Sequence, residues 1–260
     1  MKRIAIFLYG TISHLIFFST FLYAIAFLGN LPWVPKTIDS AAEGSLALAI
    51  AVNTALLGLF AVQHSGMARP AFKRWWTKIV PQPAERSTYV LISSLLMIAL
   101  FWLWRPLPGI VWSIENPTAR GVVHGVYGVG WITILVSTFL INHFDLFGLR
   151  QVYLHLRGRD STPLSFSTPI LYRFVRHPLY VGWLIAFWAA PTMSVTRLVF
   201  AIANTLYILV AIRFEEHDLA AEHGSRYQDY QRDVPMLIPN LTGKKRQGNV
   251  SHSTTIPNAS

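Results

Sequence analysis

Four long apolar stretches constrain this chain more than any other feature. Residues 4–28, 46–62, 89–104 and 122–141 contain no Asp, Glu, Lys or Arg. A stretch of about 20 apolar residues is what a helix needs to cross a ~30 Å hydrocarbon core. Inside a bilayer the backbone must satisfy its own polar groups, and a chain of such stretches does so as helices. Residues 179–190 and 198–212 are also apolar but shorter, and Pro191-Thr192-Met193-Ser194 separates them; they read as a helical hairpin. The expected fold is therefore all-α: a polytopic membrane protein with five to six membrane helices, the last two a hairpin, followed by cytoplasmic C-terminal helices. Residues 1–240 form one integral membrane domain in this reading, and the polar, aperiodic tail 241–260 is disordered. Lys2 and Arg3 ahead of the first block and Ala24-Ile25-Ala26 near its end imitate a secretory signal. The run is about twice the roughly 7–15 residues of a signal core, so it reads as a retained helix.

The connectors carry the charge, and they carry it alternately. Residues 63–88 hold Arg69, Lys73, Arg74, Lys78 and Arg86 against Glu85 alone. Residues 142–177 hold Arg150, Arg157, Arg159, Arg173 and Arg176 against Asp145 and Asp160. The intervening loops are close to neutral, with Lys36, Arg105, Arg120 and Arg197 spread among them. The positive-inside rule then puts the N-terminus, both basic connectors and the C-terminus in the cytoplasm. Most of the net charge of +10 is thereby assigned to topology, and a nucleic-acid partner is not needed to explain it. With no cysteine, a disulfide framework and a thiolate metal site are excluded. The histidines show no H-E-x-x-H spacing, and there is no Gly-rich phosphate loop and no G-x-S-x-G motif, so no metal ligand set is expected.

This topology gathers three polar clusters on one face. In Leu171–Trp183, read LYRFVRHPLYVGW, basic residues stand against a proline and then an apolar run. Pro178 suits the first helical position, leaving His177 just outside the helix and Tyr180 three residues on. His177 and Tyr180 read either as a grip on the polar head of a cofactor or as an interfacial anchor. Gly182 and the fourth block's Gly121, Gly125, Gly128 and Gly130 permit close helix approach. Glu215 and Glu216 leave the sixth block together, as a receptor for a cationic or hydroxyl-rich ligand or as a solvated helix start, where acids suit the dipole. Asp145 beside His143, at the exit of the fourth block, is a candidate proton acceptor, since desolvation raises a carboxyl pKa; a helix-end polar cluster is the alternative. His64 with Ser65 is a similar exit from the second block. Gly224 is expected to divide the segment after residue 213 into two short helices, with Tyr227 and Tyr230 packing on one face.

These residues resemble a known family. Arg176-His-Pro-Leu-Tyr-Val-Gly-Trp183, followed by Glu215-Glu216-His-Asp-Leu, Gly224-Ser-Arg-Tyr-Gln-Asp-Tyr230 and Val234-Pro235, is similar to the two-part motif of the isoprenylcysteine carboxyl methyltransferase superfamily. Gln63-His-Ser-Gly-Met-Ala-Arg69 and Asn142-His-Phe-Asp-Leu-Phe-Gly-Leu-Arg-Gln-Val152 resemble its methanethiol S-methyltransferase branch, and the first of these also resembles NnrU-like membrane proteins. The resemblance implies an enzyme that uses S-adenosyl-L-methionine, bound by Arg176, His177, Tyr180, Glu215 and Glu216, with Arg150 and Tyr153 added from the connector. It implies in-line methyl transfer to a small volatile thiol, methanethiol, giving dimethyl sulfide in a bacterial cytoplasmic membrane. Asp145 or His143 is then the candidate proton acceptor, with His64 next. Other readings of the same pattern are methylation of a prenylcysteine carboxylate or a lipid amine, or a non-catalytic NnrU-like accessory protein. A transporter is disfavoured by the lack of charge within the blocks.

Overall fold

The computed structural model describes residues 1–41, 44–162 and 167–239. Its helices begin with α1 (Lys2–Gly29), α2 (Leu46–Ala68), the short α3 (Pro70–Trp76) and α4 (Glu85–Leu103). Strand β1 (Ile110–Ser113) leads into α5 (Pro117–Leu140), and two short helices follow, α6 (His143–Leu146) and α7 (Leu149–Leu156). The chain closes with α8 (Pro178–Trp188), strand β2 (Thr192–Ser194), α9 (Val195–His223) and α10 (Ser225–Asp233). Among the described residues five helices are long and apolar enough to cross a membrane: α1, α2, α4 with its preceding turn, α5 and α9. The all-α expectation holds. The polar tail 241–260 lies outside the described residues.

Local chemistry explains where the helices begin and end. Ser45 and Ser194 accept hydrogen bonds from the Leu48 and Arg197 backbone N–H groups, and Asn116 accepts from Ala119 N–H ahead of Pro117. Each side chain satisfies an N–H that has no intrahelical partner. Asn30 ends α1 in the left-handed conformation at φ 53°.

Several boundaries differ from the sequence reading, for one physical reason: apolar character ends at the bilayer, whereas helical hydrogen bonding continues past it. Gln63, His64 and Ser65 fall inside α2, which runs on to Ala68. The polar residues after 212 extend α9, a 29-residue helix, as far as His223. Gly224, at φ 57°, then turns the chain into α10, so the division at Gly224 is seen, but its first part is the end of a membrane helix. The hairpin is correspondingly lopsided, since α8 has 11 residues and spans only about 17 Å.

β1 and β2 pair antiparallel, with Ile110 opposite Ser194, which joins the α4–α5 loop to the α8–α9 loop. Ser194 Oγ also donates to Asp39 in the α1–α2 loop, 2.5 Å away. These three loops therefore meet on one face, and the RHPLYVGW start of α8 lies at the other end of that short helix. This is the alternation the charge pattern requires.

Two contacts tie α8 into the bundle. α8 packs closely on α5 where Gly182 meets Gly130; a Cβ on Gly182 would stand 2.8 Å from the Gly130 carbonyl oxygen. Gly121, Gly125 and Gly128 have nothing within 4 Å, so among the four glycines of that stretch only Gly130 serves the packing. On the loop face, Arg197 proves to lie in the first turn of α9, 3% exposed. It donates to the carbonyls of Leu28 and Ala189, near the ends of α1 and α8, and its guanidinium lies over the Tyr127 ring. Between these points Phe27, Phe101, Trp104, Trp131, Phe187 and Phe200 fill the core.

Candidate active site

The start of α8 is locked to the C-terminal segment by main chain and side chain together. Pro178 takes the first helical position, and the N–H groups of Arg176 and His177 donate to the Pro235 and Met236 carbonyls, at 2.9 and 3.2 Å. The Arg176 guanidinium donates to Glu216 Oε1 (2.7 Å) and to the Gln231 and Val234 carbonyls (2.9 and 2.6 Å). His177 Nε2 stands 3.0 Å from Glu216 Oε1, and Gln231 Nε2 donates to Glu216 Oε2 at 3.1 Å. Both Glu216 oxygens are thus engaged, in a pocket where the Arg176, His177 and Glu216 side chains are 11%, 5% and 16% exposed.

Glu215 is placed differently. Its side chain is 45% exposed, and its Oε2 accepts a 2.8 Å hydrogen bond from the Tyr180 hydroxyl. Among the described residues its other oxygen has no hydrogen-bond partner. Adjacent residues on a helix point about 100° apart, so one acid can be buried in structure while its neighbour faces outward. Tyrosines surround this carboxylate. Burial, and then the negative charge of Glu215, push the Tyr172 hydroxyl well above its usual pKa. Tyr230 donates to the Tyr172 carbonyl at 2.6 Å, and burial holds its hydroxyl pKa up at about 12. Tyr227 is fully buried against it, as packing.

A second polar cluster lies between α2, α4 and α9. The Tyr89 hydroxyl is 2.9 Å from His64 Nδ1 and 3.0 Å from Nε2, and Ser93 Oγ is 3.4 Å from Nδ1 and donates to Gln63 Oε1. The Phe60 ring stacks on the imidazole. Ser65 Oγ and the Tyr207 hydroxyl share a 2.9 Å hydrogen bond, and Arg69 binds Asp218 at 2.9 Å beneath the Phe214 ring. Tyr89 and Tyr207 are near enough to Tyr180 to interact with it electrostatically, which brings this cluster up to the Glu215–Tyr180 pair.

The third cluster stands apart. Asp145 is bound by Arg150 at 2.8 Å, and Arg150 also donates to the Thr162 carbonyl. His143 is buried, hydrogen-bonded through Nδ1 to Thr138 and stacked on Phe139. Burial, and then the neighbouring His14, keep its pKa below the usual histidine value, so it is neutral at pH 7. Arg150 and Tyr153 line an open apolar groove of about 450 Å³ with Phe7, Thr11 and Phe144. Among the described residues no hydrogen bond or ion pair joins this group to Arg176, His177, Tyr180, Glu215 or Glu216.

No family model and no solved structure matches the chain. Curated relatives do. Methanethiol S-methyltransferase of Crocosphaera subtropica is 51% identical over 245 residues, covering 94% of this chain and 95% of that protein. The enzyme of the same name from Mycobacterium tuberculosis is 51% identical over 239 residues, covering 92% and 98%. The chain belongs to the methanethiol S-methyltransferase family. It is accordingly a membrane methyltransferase, and the family resemblance read from its motifs is sound. A weaker similarity, 32% over 186 residues, extends to Nurim of Mus musculus and covers 68% of this chain.

Some contributors to the site of this methanethiol S-methyltransferase family member had little or no sequence signal. Gln231, which completes the Glu216 shell, follows Tyr230 of the distal motif and was within reach of it. Tyr172, five residues before His177, carries no motif of its own. Tyr89 and Tyr207 are single tyrosines within apolar helices, where a core role is the ordinary expectation.

Proposed function

We propose that this chain methylates methanethiol to dimethyl sulfide, with S-adenosyl-L-methionine as methyl donor, at the cytoplasmic mouth of the helix bundle. The observation that carries the reading is Glu215, a half-exposed carboxylate with one oxygen unengaged among the described residues, beside an Arg176–His177–Glu216 cluster in which both Glu216 oxygens are engaged. The donor set fits a molecule with a cationic ammonium, a sulfonium and a ribose diol. Glu215 receives the ammonium or the hydroxyls, Tyr180 orients Glu215, and the surrounding tyrosines offer ring faces and hydroxyls. Arg176, His177 and Glu216 hold α9 against the start of α8 so that this geometry is already formed when the ligand arrives. Arg150 and Tyr153, also read from the sequence as cofactor residues, line the separate groove on the α1 side. The bound cofactor supplies an electrophilic methyl group, which the acceptor sulfur takes in line as the bond to the donor sulfur breaks.

What remains for the protein is to orient the acceptor, which can lower the barrier by several kcal/mol, and to remove its proton. A cysteine thiol titrates near ~8.5 and a simple alkanethiol is less acidic, so a proton acceptor is required; His64, Asp145 and His143 are the candidates. An apolar volatile thiol partitions into lipid, which suits a site within a bilayer. The basic connectors put both termini and the clamp on the cytoplasmic side of a bacterial inner membrane.

Two measurements on the detergent-purified protein test the reading. Calorimetry is expected to show S-adenosylmethionine binding, and headspace chromatography to show dimethyl sulfide when methanethiol is added. Failure to bind the cofactor overturns the proposal. Binding without dimethyl sulfide overturns the acceptor alone and shifts the reading to a prenylcysteine carboxylate or a lipid amine.

A further inference from the structure

We infer that the acceptor's sulfur is seated between Tyr89 and Tyr207, and that His64 takes the thiol proton through the Tyr89 hydroxyl. The inference rests on the methyl-transfer reading above and selects among its three candidate proton acceptors.

Position comes first. Tyr207 precedes Glu215 by eight residues on α9, which places it ~12 Å along the helix axis, toward the bilayer interior, and turned by about 80° around it. Tyr180 bonds Glu215, and both Tyr207 and Tyr89 lie within electrostatic range of Tyr180. The two hydroxyls thus occupy the bilayer side of the carboxylate assigned to the cofactor, where a lipid-borne acceptor arrives. α2 and α9 do not pack closely against each other there; polar side chains bridge them, through Ser65–Tyr207 and Arg69–Asp218.

The hydrogen bonds around His64 bear on which atom accepts the proton. Ser93 Oγ donates to Gln63 Oε1, so toward His64 Nδ1, 3.4 Å away, it can only accept, which favours the Nδ1–H tautomer. The Tyr89 hydroxyl is within hydrogen-bond distance of both ring nitrogens, 2.9 Å from Nδ1 and 3.0 Å from Nε2, and so reaches the one that keeps the lone pair. The step balances: the thiol S–H bond breaks and its proton passes to Tyr89 Oη, while the Tyr89 proton passes to His64 Nε2. The products are a thiolate, an intact phenol and an imidazolium. The thiolate sulfur then forms its bond to the methyl carbon, and the electron pair of the broken bond stays on the donor sulfur. Tyr207, bonded to Ser65, donates to the thiolate or releases it. Asp145 and His143 lack this connection: one is neutralised by Arg150, and the other is stacked in an aromatic cage.

The test uses His64→Gln, Tyr89→Phe and Tyr207→Phe in the full-length protein, with Asp145→Asn beside them. S-adenosylmethionine affinity is expected to stay within about twofold of the parent in all three cluster variants, which also shows that they fold. His64→Gln and Tyr89→Phe are expected to lower kcat by about 100-fold. Their loss should shrink as pH rises toward the thiol's own pKa, and should shrink again with a more acidic acceptor such as trifluoroethanethiol. Tyr207→Phe is expected to raise the KM for methanethiol several-fold and to weaken methanethiol binding, read by calorimetry with S-adenosylhomocysteine present. A parent-like rate and pH profile in His64→Gln overturns the inference, as does a pH-dependent loss confined to Asp145→Asn. Parallel loss of cofactor affinity in all three cluster variants also overturns it, by making the cluster part of the cofactor site. If the unaltered protein binds no cofactor, the methyl-transfer reading itself has failed.

Discussion

Arg176 and Arg197 are both largely shielded guanidinium groups at opposite faces of one bundle, and both donate to main-chain carbonyls, but among the described residues only Arg176 is also paired with a carboxylate. Arg197 has main-chain acceptors, the carbonyls of Leu28 and Ala189, near the ends of two helices. The last carbonyls of a helix lack intrahelical partners and carry its negative dipole end, so a cation there satisfies them and ties α1, α8 and α9 together. Arg176 also has main-chain acceptors, the Gln231 and Val234 carbonyls, but it is paired with a carboxylate besides, and that carboxylate's neighbour, Glu215, has an oxygen without a hydrogen-bond partner among the described residues. Groups that the fold itself engages mark architecture. An exposed acceptor left open beside them is where the proposed ligand would bind.

The comparison breaks most severely at Arg197. Arg197→Ala removes charged donors from buried carbonyls, each worth roughly 1.5–3 kcal/mol, and is expected to destabilise the protein by about 4 kcal/mol in thermal unfolding in detergent. Cofactor affinity of whatever fraction still folds should be unchanged. Gly182→Ala comes next, because the added Cβ meets backbone, Gly130 O at 2.8 Å and Ile134 N at 2.9 Å, and backbone cannot swing aside. Overpacking of that kind costs about 2 kcal/mol. Since α8 also carries His177 and Tyr180, this variant should lose stability and cofactor affinity together. A loss of only one would mean that the face-to-face coupling through α8 is weaker than the packing implies.

The same contrast shows what could be read from the chain beforehand. The apolar blocks identified the membrane helices because hydrocarbon length is a physical requirement on sequence. The charges of the connectors ordered the two faces, and the loops joined by β1, β2 and Asp39 agree with that order. Arg197 was invisible as a pin: a lone arginine after a Pro-Thr-Met-Ser break reads as a loop charge, and only the fold brings two helix ends to it. The β1–β2 pair escaped because three or four residues carry too little periodicity. Of the site, RHPLYVGW and the distal motif could be matched as partners, yet which of Glu215 and Glu216 stays open depends on where Gln231 and Arg176 fall, and that is tertiary information. Tyr89 and Tyr207 look like any core tyrosine until their hydroxyls are seen to meet His64 and Ser65.

Glu216 and Glu215 sharpen the contrast within two adjacent residues. Glu216→Gln leaves Arg176 and His177 without their shared carboxylate charge and is expected to cost about 2 kcal/mol of stability, with cofactor affinity falling as the lock loosens. Glu215→Gln removes a charge that the fold hardly uses. Its stability should remain within about 0.5 kcal/mol of the parent, while S-adenosylmethionine affinity falls about tenfold or more, as loss of one charge-assisted hydrogen bond predicts. Equal destabilisation by the two would show that Glu215 is as structural as its neighbour, and the ligand role would have to move elsewhere.

The smallest effect is expected at Asp145, where the sequence reading placed a proton acceptor. Its carboxylate already holds Arg150 at 2.8 Å, and the pair is about a quarter exposed. Such a pair contributes up to about 1 kcal/mol to stability. Asp145→Asn should therefore lower thermal stability by no more than that and leave the rate of dimethyl sulfide formation within about threefold of the parent across the pH range. The two polar exits of the bundle then differ as the two arginines do. At Asp145 the carboxylate is matched by Arg150 and the groove beside it is apolar, whereas at His64 the Tyr89 hydroxyl lies within hydrogen-bond distance of both imidazole nitrogens. A pH-dependent collapse of the rate in Asp145→Asn, with His64→Gln unaffected, would reverse that assignment.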